Sequence, residues 1–152
     1  MEAFRLSRGK YAAPLSGKGA AIKGARWNSI GVEIIYTASN RSLAMAEVAV
    51  HLTLATIPAD YVMLTIYSPD DISTKKLTRA DLPTDWNVFP HQTSTQVIGD
   101  KFVNDNDHCV LQIPSVVTQG DYNLLINPHH LEFSRIKIIE IEKFPFDERI
   151  FK

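Results

Sequence analysis

Apolar positions along the chain come in short runs bounded by turn-forming residues, with one longer stretch at a helical period. Residues 32–37 are β-branched and aromatic and predict a short strand, after which Ser39, Asn40, Arg41 and Ser42 offer turn and helix-capping groups. A helix is predicted over 43–54. Residues 60–67 read as another strand, stopped by the turn chemistry of Ser68, Pro69, Asp70 and Asp71. Between 73 and 91 the chain is polar with isolated Leu77, Leu82, Trp86 and Phe89, the composition of a lid or an irregular flank over a core. Residues 98–102 begin a short helix, 109–113 form a strand that stops near Pro114, and 122–126 form another, closed by Asn127 and Pro128. Residues 136–141 alternate imperfectly, as an edge or partly buried strand does. Several short strands around one strong helix predict an α+β fold, with a central sheet and flanking helices, rather than regular βαβ units.

Within the 43–54 stretch, Leu43, Glu47, Val50 and Leu54 share one stripe at 100° per residue, and the opposite face is also mainly apolar. Glu47 therefore stands where a leucine belongs. A carboxylate buried without partners is costly or has its pKa raised, so Glu47 is expected to meet a cation, a dense set of hydrogen bonds or a ligand. A structural ion pair would satisfy it equally well. His51, one turn later, either packs or joins the same group. A single Glu–His pair lacks a third ligand, so no metal is expected.

Other polar residues also stand out from an ordinary core. Between Gly24 and Gly31, the run Arg26, Trp27, Asn28 sets a fixed cation, an indole and a carboxamide on a turn-permitting loop. Arginine can clamp a phosphate bidentately and asparagine can orient a ribose or the loop itself, while the alternative is a capped loop anchored by Trp27. Tyr36 can wall a planar ring or simply pack, and Tyr11 can close the other side of such a ring. Ser115, after a strand, can donate to a phosphate or align a sugar, but no Gly-x-Ser-x-Gly elbow surrounds it. Asn127 before Pro128 reads as a turn or as a rigid polar edge, and the adjacent His129 and His130 supply no coordination cage.

Composition narrows the function classes. With 152 residues, 45% of them hydrophobic, one domain spanning 1–152 is the default. Sixteen basic against seventeen acidic side chains leave a formal charge of -1, too little to hold a polyanion, so no direct nucleic-acid binding is expected. The basic bias is local: Arg5, Arg8, Lys10, Lys18 and Lys23 oppose only Glu2 in the first 23 residues, a phosphate wall or a solvated surface interrupted by Gly17 and Gly19. Cys109 is the single cysteine and reads as a buried small hydrophobe in a strand. No apolar run is long enough for a membrane span or a signal core, which points to a cytoplasmic protein without membrane contact. The glycine-rich strand–turn–helix of a redox dinucleotide site is absent.

In their order and spacing, Gly24-Ala25-Arg26-Trp27-Asn28, Ile35-Tyr36-Thr37-Ala38, the 43–52 segment, Ile113-Pro114-Ser115 and the 123–129 segment resemble the RES-domain family, the toxin partners of Xre–RES bacterial toxin–antitoxin pairs. The resemblance covers 5–133. It implies a fold related to ADP-ribosyltransferases such as diphtheria toxin. As activity it implies cleavage of the nicotinamide–ribose bond of nicotinamide adenine dinucleotide (NAD), by hydrolysis or phosphorolysis, with depletion of cellular NAD and growth arrest. Some members resemble transferases of ADP-ribose to proteins, and a non-enzymatic antitoxin-binding module is a third reading. The family's catalytic arginine, glutamate and serine correspond to Arg26, Glu47 and Ser115, and its pocket tyrosine to Tyr36. Arg5, Asn28, His51 and Asn127 fall at supporting positions. Ala25 stands where the family commonly has glycine, and Ile30 where it often has proline. No cofactor is implied beyond NAD as substrate, with inorganic phosphate as a candidate co-substrate. The implied partners are an Xre-like antitoxin and, within such a complex, a second copy of the chain.

The mechanism expected from these residues puts Arg26 on the dinucleotide phosphates, helped by the basic amino-terminal region, and Tyr36 against nicotinamide. Glu47 would hold the ribose and stabilise positive charge on it, while Ser115 and Asn127 fix the ribose–phosphate geometry.

Overall fold

A computed structural model describes residues 1–151. Seven strands form one sheet: β1 (Glu2–Arg8), β2 (Ile35–Ala38), β3 (Tyr61–Tyr67), β4 (Thr74–Lys76), β5 (Val110–Pro114), β6 (Tyr122–Ile126) and β7 (Lys137–Lys143). Their spatial order is β4-β5-β6-β2-β1-β3-β7, with every pair antiparallel except β4 with β5. Three helices flank it: α1 (Lys18–Lys23), α2 (Arg41–Ala49) and α3 (Thr93–Asp105). The architecture is the mixed α+β arrangement that the alternating short strands predict.

Strand alternation divides the core. One face carries Ala3, Ile35, Leu64, Ile66, Val110, Leu124 and Ile126, packed with Cys109 and Ile136. On the other face there are two separate clusters. Phe4, Leu6, Ala38 and Met63 pack with Leu43 and Ala44 of α2. Leu111, Ile113 and Leu125 pack with Trp27, Ile34, Trp86 and Phe102. Ile35, Leu64, Leu111 and Leu125 are fully buried, each contributing about 1.5–3 kcal/mol by leaving water. Cys109 is buried as its apolar surroundings predict, and burial pushes its thiol up to about 11.

The predicted 43–54 helix is shorter in the structure. Asn40 caps α2, its Oδ1 accepting from the Leu43 amide at 2.8 Å. The far end tightens through i−3 contacts from the His51 and Leu52 amides, and a Thr53–Thr56 capping box starts a separate 3-10 turn. Val50 and Leu54 are consequently exposed, at 59% and 48%, so the buried apolar stripe does not continue past Glu47.

Other boundaries shift for local reasons. The 32–37 strand begins only at Ile35, because the Val32 amide closes a turn onto Ser29. The 98–102 helix extends to thirteen residues, with Asn106 in the left-handed conformation as its cap. The polar 73–91 flank holds β4 and buries Trp86. The amino-terminal segment, read only as a basic surface, supplies β1, which lies between β2 and β3 inside the sheet.

Gly99 is what brings α3 so close. A Cβ there would lie 1.6 Å from the Trp27 carbonyl oxygen, so only glycine lets the helix press on the arginine-bearing loop. Gly99→Ala should lower stability by roughly 3 kcal/mol, because the clash outweighs the roughly 1 kcal/mol gained in helix propensity. Urea unfolding reads this directly, and an unchanged midpoint would contradict the contact.

Candidate functional site

Glu47 projects from α2 toward the end of β5, across the seam between the two clusters on that sheet face. Ser115 follows β5 and is 4% exposed. Its Oγ accepts from the amides of Val117 and Thr118, each at 3.0 Å, and donates to Glu47 Oε1 at 3.2 Å. With both acceptor positions taken by the backbone, the hydroxyl proton is directed to the carboxylate. Asn123 on β6 lies close enough to Glu47 to favour its ionised form, and its Nδ2 donates to the Thr37 carbonyl at 3.3 Å. Burial nevertheless holds the Glu47 carboxyl above the usual carboxylate range. Asn123 and the Ser115 hydroxyl, and the positive charges of His51 and Arg26, pull it partly back.

Arg26 lies within electrostatic reach of Glu47, and burial pulls its guanidinium below the ordinary arginine value, against the attraction of Glu47 and Tyr36. No ion pair closes between Arg26 and Glu47. Nη1 of Arg26 instead donates to the carbonyls of Trp86 at 3.0 Å and Val88 at 2.8 Å. The 86–88 turn is thereby clasped to the arginine loop.

That loop is held by residues that the sequence offered as ligand contacts. Asn28 is fully buried, its Nδ2 donating to the carbonyls of Ala20, Ser29 and Val32 at 2.9, 3.2 and 3.0 Å. Its Oδ1 accepts from the Tyr36 hydroxyl at 2.6 Å, and the same hydroxyl accepts from the Trp27 amide at 3.1 Å. Burial raises the Tyr36 phenol strongly, so it stays protonated as a donor. Of the two roles open to Asn28, the structure shows loop organisation, and Tyr36 joins it through its oxygen. From α3, Thr95 Oγ1 donates to the Arg26 carbonyl at 2.6 Å and Gln96 Nε2 to the carbonyls of Ala25 and Asn28, both at 3.1 Å.

The remaining sequence candidates lie elsewhere. Arg5 pairs in register with Leu64, and alternation along β1 places it with Ala3 on the face away from α2. Burial lowers its pKa, with no ion pair to a carboxylate among the described residues. Asn127 is fully buried, donating to Asn106 Oδ1 at 2.8 Å and accepting from the His129 amide at 2.9 Å. It lies just past the end of β6 remote from Asn123, roughly 13 Å away at strand rise, so the structure does not bring it to Glu47. Tyr11 is 67% exposed with the Lys10 ammonium over its ring at 5.0 Å. His51 is exposed just beyond α2, close enough for its charge to act on Glu47. Asn123, not singled out from the sequence, is the asparagine that lies near the carboxylate, whereas Asn127, expected to help fix the ribose–phosphate geometry, lies at the other end of β6. The position of Asn123 opposite Ala38, on the same face as Leu125, was the available signal.

A cleft of about 100 Å³ opens beside Ser115, between Arg79, Trp86 and Asn87 on one wall and Gln119 and Gly120 on the other. A larger depression of about 300 Å³ lies between Leu15, Phe133 and Ile138, whose contacts belong to the opposite sheet face, remote from the carboxylate. No cluster of three or more His, Cys, Asp or Glu side chains is placed to hold a metal ion among the described residues. Likewise, no helix among them is long and apolar enough to cross a membrane.

The RES domain family model matches residues 2–147. The chain is 36% identical to a protein of Sphingobium sp. (strain YBL2) described as a Prs ADP-ribosylating toxin, over 91% of this chain and 87% of that one. It is 32% identical to the Toxin Res of Photorhabdus laumondii over 98% of this chain and 96% of the relative. Toxin Res of Pseudomonas putida is 33% identical over 91% and 94%. A chain of the crystal structure of the M. tuberculosis MbcT-MbcA toxin-antitoxin complex shares the fold. Its TM-score is 0.77 at 21% identity, covering 94% of this chain and 83% of that one. The chain described here belongs to the RES-domain family.

Proposed function

We propose that this protein is a toxin that consumes NAD by breaking its nicotinamide–ribose bond, on a fold of the ADP-ribosyltransferase kind, and that an Xre-like antitoxin restrains it. The observation that carries the reading is Glu47, a carboxylate in a partly apolar seam with a serine hydroxyl aimed at it and an arginine in reach but unpaired with it. Such a carboxylate is costly in the folded protein unless it serves a partner that arrives later.

In this mechanism ionised Glu47 accepts from a hydroxyl of the nicotinamide ribose. As the C–N bond breaks, neutral nicotinamide leaves with the bonding electrons, and the sugar acquires oxocarbenium character next to the carboxylate. The attraction grows with that charge, so it lowers the barrier more than it tightens substrate binding. Ser115 holds a carboxylate oxygen in place, with Asn123 close by. Arg26 takes the pyrophosphate. A bidentate grip requires the 86–88 turn to release Nη1, and the same movement enlarges the cleft, which at about 100 Å³ is too small for a dinucleotide.

Attack by water yields ADP-ribose and a proton, and attack by inorganic phosphate yields ADP-ribose carrying a phosphate at the anomeric carbon. A second reading, transfer to a protein side chain, is favoured by the similarity to the Sphingobium protein named as an ADP-ribosylating toxin. The bond broken is the same, and only the acceptor differs.

Glu47→Gln should reduce nicotinamide release from NAD by about 10²–10³-fold while the melting curve stays cooperative. Ser115→Ala should cost about 10–100-fold, the value of a hydrogen bond to a charged group. Wild-type protein that leaves NAD intact in water, in phosphate and with candidate acceptor proteins would end the proposal. Product analysis by mass spectrometry separates the three acceptors.

The pH dependence follows from the raised Glu47 pKa. Activity should rise with pH along a limb whose midpoint lies above the ordinary glutamate value, because only the ionised form works. Stability should move the opposite way: the folded state holds its proton longer than the unfolded chain, so the wild type loses stability as pH climbs through that window. In Glu47→Gln this loss should disappear. Matching urea titrations of the two proteins across the window check the sign.

A further inference from the structure

We propose that the cleft beside Ser115 is an anion subsite built around Arg79, and that its occupant is a phosphate group. The inference rests on the NAD-cleaving reading for its purpose but not for its chemistry. Arg79 is exposed and holds its guanidinium over the Trp86 ring, 5.7 Å from the centroid, at the rim of the cleft. It forms no salt bridge with a carboxylate among the described residues.

The acids nearest in sequence to the two walls, Asp81, Asp85 and Asp121, all have partners outside the cleft, Asp85 accepting from the Ser94 hydroxyl at 2.8 Å. Asp81 accepts from the Thr78 amide at 2.7 Å and the Thr78 hydroxyl at 3.0 Å, closing its own turn. Asp121 accepts from Asn40 Nδ2 at 3.3 Å. No carboxylate lines the cleft, while Asn87 and Gln119 add amide donors. Gly120, at φ +97° and with open space where a Cβ would stand, lets bare backbone form part of the wall.

Size selects among anions. About 100 Å³ takes a phosphoryl group and not a nucleotide. Position gives the site its use, since Ser115 lines the cleft and donates to Glu47. An anion held by Arg79 is therefore separated from the carboxylate by a single side chain. The same chemistry suits two sources, free inorganic phosphate bound as a co-substrate or one phosphate of the dinucleotide itself.

The test is calorimetric titration at constant ionic strength. Inorganic phosphate is titrated into the wild type, Arg79→Gln and Arg79→Lys, and NAD into Glu47→Gln with and without Arg79→Gln. A tenfold or greater rise in the phosphate Kd for Arg79→Gln, with NAD binding unchanged, establishes the subsite as one for free phosphate. A comparable rise in the NAD Kd, with phosphate competing against NAD, establishes it as a dinucleotide phosphate site. Arg79→Lys, which keeps the charge but loses the fork, should fall between wild type and Arg79→Gln, and it carries the test if Arg79→Gln fails to fold. Phosphate and NAD affinities within twofold of the parent proteins in the folded Arg79 variants overturn the subsite. The phosphate arm needs no turnover, so a protein that binds phosphate through Arg79 yet leaves NAD intact refutes the NAD-cleaving reading alone.

Discussion

A partly buried carboxylate that accepts from a serine hydroxyl sits at the seam where α2 meets the end of β5. Glu47 can stay there only because the sheet presents two apolar clusters with a gap between them, one under α2 and one under α3. The gap is polar because three chain segments converge on it. Ser115 comes from the end of β5, Asn123 from β6 and Arg26 from the loop before β2. Ser115 in turn is fixed by the tight turn that follows it, whose amides occupy its lone pairs. The direction of the Ser115 hydroxyl toward the carboxylate is thus set by the amides of Val117 and Thr118.

Around this seam, the polar residues divide into those that face Glu47 and those that hold the frame. Asn28 spends all its hydrogen-bonding capacity on the loop that carries Arg26, and Tyr36 completes it. Ser29 adds two contacts to Asp100, from its amide at 2.9 Å and its hydroxyl at 2.5 Å. Together with Thr95, Gln96 and the close approach at Gly99, they make α3 and the arginine loop one rigid unit. Such supporting bonds keep a site within the few tenths of an ångström that oriented chemistry demands.

The strands beginning near residues 60, 109 and 122 were legible in the sequence because their β-branched and apolar runs are bounded by strong turn formers. Glu47 was legible because an acid among leucines and alanines violates its surroundings. β1 was not, since Arg5 and Arg8 interrupt its apolar residues and masked an internal strand as a basic surface. The extent of α3 was hidden by its low apolar content and by Gly99, which reads as a breaker and acts as a contact. Nor does chain order reveal whether a buried amide faces a ligand or a carbonyl. Asn28 lies on the loop before β2, Asn123 on β6 and Asn127 just past its far end, and only the folded arrangement separates their roles.

The outermost long strand has a consequence for how the protein behaves among its own copies. β7 leaves one row of amides and carbonyls open along the sheet border and carries Lys137, Glu140, Glu142 and Lys143, with Ile139 and Ile141 about half exposed. Two molecules meeting there antiparallel about Glu140 would set glutamate against glutamate and Lys137 against Lys143. Like charges placed directly across a ladder repel. That register of strand-to-strand pairing is therefore disfavoured by charge, even though the border strand has no neighbour on its outer side among the described residues.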